Sequence, residues 1–352
     1  MNITRLKTRV VKLGGVMVGG DSPISVQSMA NTDTRDVKET IRQIKRLEKA
    51  GCEIVRVGVP DMQAASGLGT IKSAINIPLV ADIHFDYKLA LEAINQGVDG
   101  LRLNPGNIGS PSRVRDVTRA ALENSTPIRI GVNSGSVEKK LLEKYGGPTP
   151  EAMVESALGH VAILEKSGFY HIKISIKASD VMRTVDSYRL LSKKVDYPLH
   201  VGVTEAGTLI PGCVKSSLGI GLLLSEGIGD TIRVSLSAPP EKEIEVGFGI
   251  LRSLGLRRRG VDLISCPTCS RTEIDLLGLA TKVEKAVRGI KTPLTVAVMG
   301  CVVNGPGEAK EADVGVAGGK GRGILFKKGK VIGTFEEKDL LKVLLDEIDS
   351  MI

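Results

Sequence analysis

Two rhythms of apolar residues alternate along this chain. Residues 8–20 alternate apolar and polar positions around Gly14-Gly15, the pattern of a small hairpin placed before the main fold. Short apolar runs then predict strands over 24–29, 54–59, 79–83, 100–103, 128–132, 171–176, 199–203 and 231–236. Helical periodicity fills the gaps. It covers 35–50 with Gly51 as its stop, a stretch ending near residue 74, then 86–95, 111–122, 149–166, 179–194 and about 212–225. A last helix opens at Pro239-Pro240 and ends near Gly255. Thr149-Pro150-Glu151 is a helix start and Gly168 a stop. Eight strand–helix units in about 250 residues describe a (β/α)8 TIM barrel. A doubly wound sheet is the alternative, but the glycine fingerprint of a nucleotide-binding first crossover is absent.

Past residue 256 the composition shifts, dividing the chain into a barrel domain over 1–256 and a smaller C-terminal α/β domain over 257–352. The second is predicted to hold a strand at 261–264, a helix at 273–287 and a strand at 294–299. Two or three short strands follow to residue 334, and a helix over 336–348 closes the chain. Arg257-Arg258-Arg259 is read as a solvated linker. The glycine-rich stretch 318–323 lacks phosphate-loop spacing and is read as a flexible turn.

Strand ends carry the chemistry of such barrels. Arg56 lies on the second strand, Asp82 and His84 end the third, and Arg102, Asn104 and Asn107 follow the fourth. Arg129 and Asn133 belong to the fifth strand, Lys173, Ser175 and Lys177 to the sixth, Thr204 and Glu205 to the seventh, Arg233 and Ser235 to the eighth. Guanidinium groups are costly to bury without anions, and Asp82 and Glu205 can satisfy only two of the four arginines. Converging arginines grip phosphate bidentately, so this face is expected to bind phosphate or diphosphate. Taken singly, Asp82 also reads as an arginine-orienting group and His84 as a hydrogen-bonded wall residue.

The net charge of +8 therefore points to an anionic small molecule, since neither a stacking stripe nor a recognition helix accompanies it. The 41 glycines suit tight strand-to-helix connections. Residues 1–7 lack the apolar core of a secretory signal, and the most apolar stretch, 218–224, is too short to span a membrane. No membrane or nucleic-acid partner is expected. Five cysteines, three of them clustered, make no disulfide framework, so a reducing, cytoplasmic setting is expected.

Those three are Cys266 and Cys269, in a C-x-x-C, and Cys301, before a Gly-Pro-Gly turn that ends in Glu308. Thiolates at this spacing ligate zinc or an iron–sulfur cluster, and Glu308 offers a hard, exchangeable fourth ligand. A structural zinc site and a thioredoxin-like pair are the competing readings. Cys52 and Cys213 default to packing.

Long stretches resemble the 4-hydroxy-3-methylbut-2-enyl diphosphate synthases of the GcpE family, in their short two-domain bacterial form. They include Pro23-Ile-Ser-Val-Gln-Ser-Met29, Ile54-Val-Arg-Val-Gly-Val-Pro60, Ala81-Asp-Ile-His-Phe85 and Arg102-Leu-Asn-Pro-Gly-Asn-Ile-Gly109. Ile174-Ser-Ile-Lys-Ala-Ser-Asp180, Thr204-Glu-Ala-Gly207, Cys266-Pro-Thr-Cys-Ser-Arg271 and Gly300-Cys-Val-Val-Asn-Gly-Pro-Gly-Glu308 extend the likeness along the chain. The resemblance implies a [4Fe–4S] cluster on Cys266, Cys269, Cys301 and a displaceable Glu308. It implies reductive opening of 2-C-methyl-D-erythritol 2,4-cyclodiphosphate to the linear allylic diphosphate, with flavodoxin or ferredoxin as electron donor. Arg56, Arg102, Arg129, Arg233 and Lys177 would hold the diphosphate, with Asn133 and Ser235 as neutral donors. Asp82, His84 and Asn104 complete the substrate set, and Glu205 would protonate the departing oxygen. The alternatives are a zinc-stapled barrel of non-redox chemistry, such as an aldolase or pterin-type transferase, and a non-catalytic iron–sulfur sensor.

Chain length adds an expectation about assembly. The last barrel helix carries the chain about 20 Å from the mouth at 1.5 Å per residue, and only 255–260 separates it from the cysteine domain. The active site is therefore expected to be shared between the two chains of a head-to-tail homodimer.

Overall fold

The computed structural model describes residues 3–301 and 309–352. The chain forms two compact units that divide between Arg257 and Arg258.

The first unit is the (β/α)8 barrel that the alternation predicts. A hairpin of β1 (Val11–Leu13) and β2 (Val16–Val18) precedes it. The barrel strands are β3 (Ser25–Met29), β4 (Ile54–Gly58), β5 (Leu79–Asp82), β6 (Gly100–Arg102), β7 (Ile128–Asn133), β8 (Ile172–Lys177), β9 (His200–Val201) and β10 (Thr231–Ile232). All are parallel and run in sequence order round the sheet. An Ile174–Leu199 bridge joins β8 to β9 and closes the ring.

Each strand separates two environments. Ile172, Ile174 and Ile176 of β8 face the helix layer and join one large core with Val55, Val57, Ile128, Ile130, Val201 and Ile232. The alternate positions face the barrel axis. At the N-terminal end of the axis, Leu13 and Val18 of the hairpin pack with Ile54 and Val80 into a separate apolar plug. Higher up, the inward positions are charged. A strand flanked by helices normally reads as a continuous apolar run; here one face of nearly every strand is polar.

Local signals fix the helices. Asp36 accepts from Glu39 N–H at the start of Val37–Ala50, and Gly51 ends it in the left-handed region at φ 103°. Thr149 caps Pro150–Lys166, and Asp180 caps Val181–Ser192. Three local expectations change. The helix ending near residue 74 is two short pieces, Met62–Ser66 and Leu68–Ser73, broken at Gly67. A further helix, Lys139–Tyr145, fills the stretch after β7. β9 and β10 are two residues each, shorter than the apolar runs over 199–203 and 231–236.

The second unit holds a five-stranded mixed sheet in the order β11 (Val261–Ser265), β12 (Leu294–Met299), β13 (Val314–Gly319), β14 (Arg322–Lys327), β15 (Lys330–Glu336). The β11–β12–β13 pairs are parallel and the last two antiparallel. Helices Leu276–Val287 and Leu340–Asp349 bury Val283, Val287, Leu344 and Ile348 against it. The 318–323 stretch is the β13–β14 hairpin, turning at Lys320-Gly321. No helix among the described residues is long and apolar enough to cross a membrane.

Candidate functional site

Pairing register stacks charge at the C-terminal end of the barrel. Asp82 lies opposite Arg102, Arg102 opposite Arg129, Arg129 opposite Lys173, and Asn133 opposite Lys177. All of these except Lys173, with Arg56 and Arg233, line a cavity of about 150 Å³. Five cations line it, Arg56, Arg102, Arg129, Lys177 and Arg233, against a single carboxylate, Asp82.

Asp82 is shared. Its oxygens lie 3.4 Å from Arg56 Nε and 3.2 Å from Arg102 Nη1. Burial alone would raise its pKa, but Arg56, Arg102 and Arg129 outweigh that and hold it below the usual carboxylate range. Arg233 leans on Glu243, 3.4 Å away on helix Pro240–Ser253, whose other oxygen accepts from Ser28 Oγ at 3.0 Å. Among the described residues Arg129 has no carboxylate within ion-pair distance; its Nη1 donates to Ser175 Oγ at 2.9 Å and its Nη2 is buried without a partner there.

Repulsion is the result. Burial, then the neighbouring arginines, pull Arg129 well below the ordinary guanidinium value, and burial with Arg129 and Arg233 does the same to the Lys177 amine. Burial brings Arg56 down to about 10 although Asp82 opposes it. Arginine does not surrender its proton in proteins, so the empty cavity stores this crowding as unfavourable charge, which a multivalent anion relieves.

Two glycines make room for the cations. A Cβ on Gly131 would stand 2.6 Å from Arg102 Nε, and one on Gly202 would meet Lys177 Nζ at 2.8 Å and Arg233 O at 2.3 Å. Gly131 also offers its carbonyl to Arg102 Nη2 at 2.9 Å.

In the second unit Cys266 follows β11 and Cys301 follows β12, so both thiols leave the C-terminal ends of adjacent parallel strands. Gly300 N–H donates to Cys266 Sγ at 3.2 Å. Cys269, exposed, has its thiol pKa lowered by hydrogen bonding from the Arg271 backbone. All five cysteines are free. Among the described residues no group of three or more His, Cys, Asp or Glu side chains is arranged to hold a metal ion. Glu308 lies outside the described residues.

Residues 8–248 match the GcpE TIM-barrel domain and residues 262–350 the GcpE protein C-terminal domain. The chain belongs to the GcpE family. A Geobacter sulfurreducens protein named 4-hydroxy-3-methylbut-2-en-1-yl diphosphate synthase (flavodoxin) is 60% identical over 348 residues, 99% of either chain. One of the same name from Thermodesulfovibrio yellowstonii is 61% identical over 346 residues, 98% of this chain and 99% of that one. Among solved structures, a Stenotrophomonas maltophilia dihydropteroate synthase aligns with TM-score 0.51 at 11% identity, over 70% of this chain and 97% of that one. That likeness is one of barrel fold alone.

Within this GcpE-family chain the residues singled out from sequence separate into groups. Arg56, Asp82, His84, Arg102, Arg129, Asn133, Lys177, Arg233 and Ser235 all line the cavity. Asn104 does not. It is buried, its amide donating to Gly131 O at 3.0 Å and accepting from Gly131 N–H at 2.8 Å, so it braces β6 against β7. Glu205 also lies off the cavity lining, exposed just beyond β9 with φ at +52°, a left-handed backbone that a non-glycine residue adopts at a cost. Cys52 is packing: it is buried, donates to Ile54 O, and burial raises its pKa to about 12. Ser175, Thr204, Gly131 and Glu243 were not singled out as binding residues. The strict Ile-Lys-Ile-Ser-Ile-Lys alternation of β8 already exposed Ser175, whereas nothing local marks Glu243.

Proposed function

We propose that the protein is a 4-hydroxy-3-methylbut-2-enyl diphosphate synthase that reductively opens 2-C-methyl-D-erythritol 2,4-cyclodiphosphate. The observation that carries this reading is the cavity with five cations and one carboxylate. The C2–phosphate bond and the C3–hydroxyl bond break, C2=C3 forms, and two electrons and one proton are consumed as water leaves. Opening the ring frees a phosphate oxygen, so the bound molecule gains a negative charge. A site with surplus cations stabilises that product-like charge more than the cyclic ground state, which is what lowers a barrier.

In this reading Arg56, Arg102, Arg129, Arg233 and Lys177 hold the diphosphate, with Asn133 and Ser235 donating neutral hydrogen bonds. Asp82 keeps Arg56 and Arg102 aimed inward, and His84 forms part of the wall. Asn104 acts indirectly, by fixing Gly131. Glu205 is assigned the proton that leaves with the C3 oxygen; its left-handed backbone is strain of the kind that collects at functional positions.

The C-terminal unit is assigned the iron–sulfur cluster. Three free thiols with a backbone N–H aimed at one sulfur suit such a group. Held by Cys266, Cys269, Cys301 and Glu308, a [4Fe–4S] cluster would supply the electrons and Lewis acidity at the substrate oxygen. Flavodoxin or ferredoxin is the proposed donor, and the free cysteines suit a cytoplasmic setting. Turnover of the cyclic diphosphate by anaerobically purified protein with reduced flavodoxin tests the assignment; no turnover with a full complement of iron and sulfide would sink it.

We further assign a homodimer with the site shared between chains. Supporting it, Ile210, Val214, Leu218 and Leu222 form an exposed apolar stripe at four-residue spacing along helix Leu209–Ser225. Mixing Arg56→Ala chains with Cys301→Ser chains under subunit exchange should restore about a quarter of wild-type activity, since half the dimers are mixed and each holds one intact site. No recovery despite demonstrated exchange would place each site within one chain.

A further inference from the structure

Beneath the arginines the cavity has a floor that this function leaves unused. Strands β7, β8, β9, β10 and β3 are consecutive round the barrel, and the last four turn Lys173, His200, Thr231, Ser25 and Gln27 inward. Their alternating neighbours Ile174, Val201, Ile232 and Val26 belong to the helix-side core. All five are at most 2% exposed. Ser25 Oγ, Gln27 Nε2, Thr231 Oγ1 and both ring nitrogens of His200 find no hydrogen-bonding partner among the described residues. Register places Thr231 between His200 and Ser25, and Lys173 opposite Arg129.

A buried lysine normally has a carboxylate. Among the described residues Lys173 has none within ion-pair distance. The groups facing the floor are the Arg129 guanidinium from β7, the Arg56 guanidinium from β4 and the Lys177 amine on β8 itself, none of them an anion. Asp82 on β5 is already shared by Arg56 and Arg102 of β6, and Glu243 is held by Arg233 of β10. The Tyr188 hydroxyl, behind β8, donates to the His200 carbonyl. Burial, with Arg129 adding to it, brings the Lys173 amine down to about 7. Burial and the same cations hold His200 well below its ordinary value, so its ring is neutral and keeps one accepting nitrogen.

We propose that Lys173 is a charge-compensating residue of the diphosphate site. It stands as a free amine under the empty arginine cluster and takes up a proton when a diphosphate settles there. Ser25, Thr231 and the neutral His200 ring then accept the hydrogens of the ammonium, directly or through water. This rests on assigning the arginine cluster to a diphosphate. A bound dianion reverses the sign of the local field, which is what makes the ammonium favourable. The same added cation would meet the negative charge that ring opening creates.

Calorimetry on the full-length, cluster-containing protein tests this without turnover. The probe is the cyclic diphosphate in the absence of reductant, because its phosphates carry no proton that titrates near neutrality. Titrations in buffers of different ionisation enthalpy read proton uptake directly. The Lys177 amine, lowered in the same way, takes part equally in wild type and variants, so the readout is a difference: at pH 8 the wild type should take up about 0.8 proton per site more than either Lys173 variant, and at pH 6, where Lys173 is already protonated, close to none more. Relative to the variants, its affinity should weaken about fivefold per pH unit from pH 7 to 9. Lys173→Met, close in volume, should lose that share of the uptake and the matching part of the pH dependence. Lys173→Arg, whose charge is fixed, should lose the same share, and it carries the test if the methionine variant does not fold.

Uptake in the wild type no greater than in both variants overturns the role of Lys173 and leaves the diphosphate site standing. Absence of binding, unchanged by Arg129→Met, overturns both.

Discussion

The two ends of one barrel axis are built on opposite terms. At the N-terminal end Leu13, Val18, Ile54 and Val80 close the ring with an apolar plug in which no group needs a partner. At the other end five cations crowd a cavity with one carboxylate, and Arg129 Nη2 is buried without an acceptor. The plug returns its burial as stability. The mouth gives stability up, because charges that would be comfortable in water are held together out of it. A single fold carries both because its layers are nearly independent: the helix-side core around Ile130, Ile174 and Val201 supplies rigidity whatever faces the axis. Function here is spent stability placed where an anion can recover it.

Substitution at the mouth should therefore separate binding from stability most strongly. Arg129→Met removes a buried cation that has no carboxylate of its own. Losing a charged contact to phosphate should cost on the order of 2–4 kcal/mol, a fall of roughly thirtyfold to a thousandfold in kcat/KM. Thermal stability of the unliganded variant should be equal to the wild type or higher, since repulsion with Arg56 and Arg102 disappears. A variant that lost stability and kept its kinetics would invert the comparison.

The plug should behave in the opposite way. Leu13 is fully buried, and a Cβ on Gly100 would stand 2.5 Å from its Cδ1, so the strand gives up a side chain to admit it. Leu13→Ala should lower unfolding free energy by about 2–4 kcal/mol, measured by denaturant titration. Below its lowered melting point its kcat/KM should match wild type. A stable variant with impaired turnover would mean that the plug communicates with the mouth.

These ends differed in how far the sequence disclosed them. The cations were legible because a charge inside an apolar run marks an inward position, as Arg56, Arg102 and Lys177 do, and because strand ends face the mouth. The hairpin was legible from Gly14-Gly15, though not its role as the barrel's plug, which depends on Ile54 and Val80 far along the chain. The counter-charges were harder. Glu243 reaches Arg233 from a helix whose sequence reads as an ordinary amphipathic face. Asn104 looks like a strand-end ligand, and only the fold reveals that its amide is committed to Gly131. Partners chosen by tertiary contact leave no periodic trace.

The smallest effect expected is also the most direct reading of stored charge in the empty barrel. Lys173 titrates at its ordinary 10.5 when unfolded and at about 7 when folded, and Lys177 is displaced the same way. Between those values the unfolded chain binds more protons than the folded one, so stability rises with pH, by up to about 1.4 kcal/mol per unit for each such group. His200, depressed below its ordinary 6.5, has finished contributing by pH 7, and Asp82 titrates lower still. Cys52, raised from 9.0 to about 12, pulls the other way only above pH 9. Denaturant titrations of the unliganded chain between pH 7 and 8.5 should therefore give an unfolding free energy that climbs with pH, with a shallower climb in Lys173→Met. Saturating cyclic diphosphate should flatten the wild-type curve, because the anion now favours the protonated amines. A stability that stayed level or fell across that window would mean the mouth is no more frustrated than the plug.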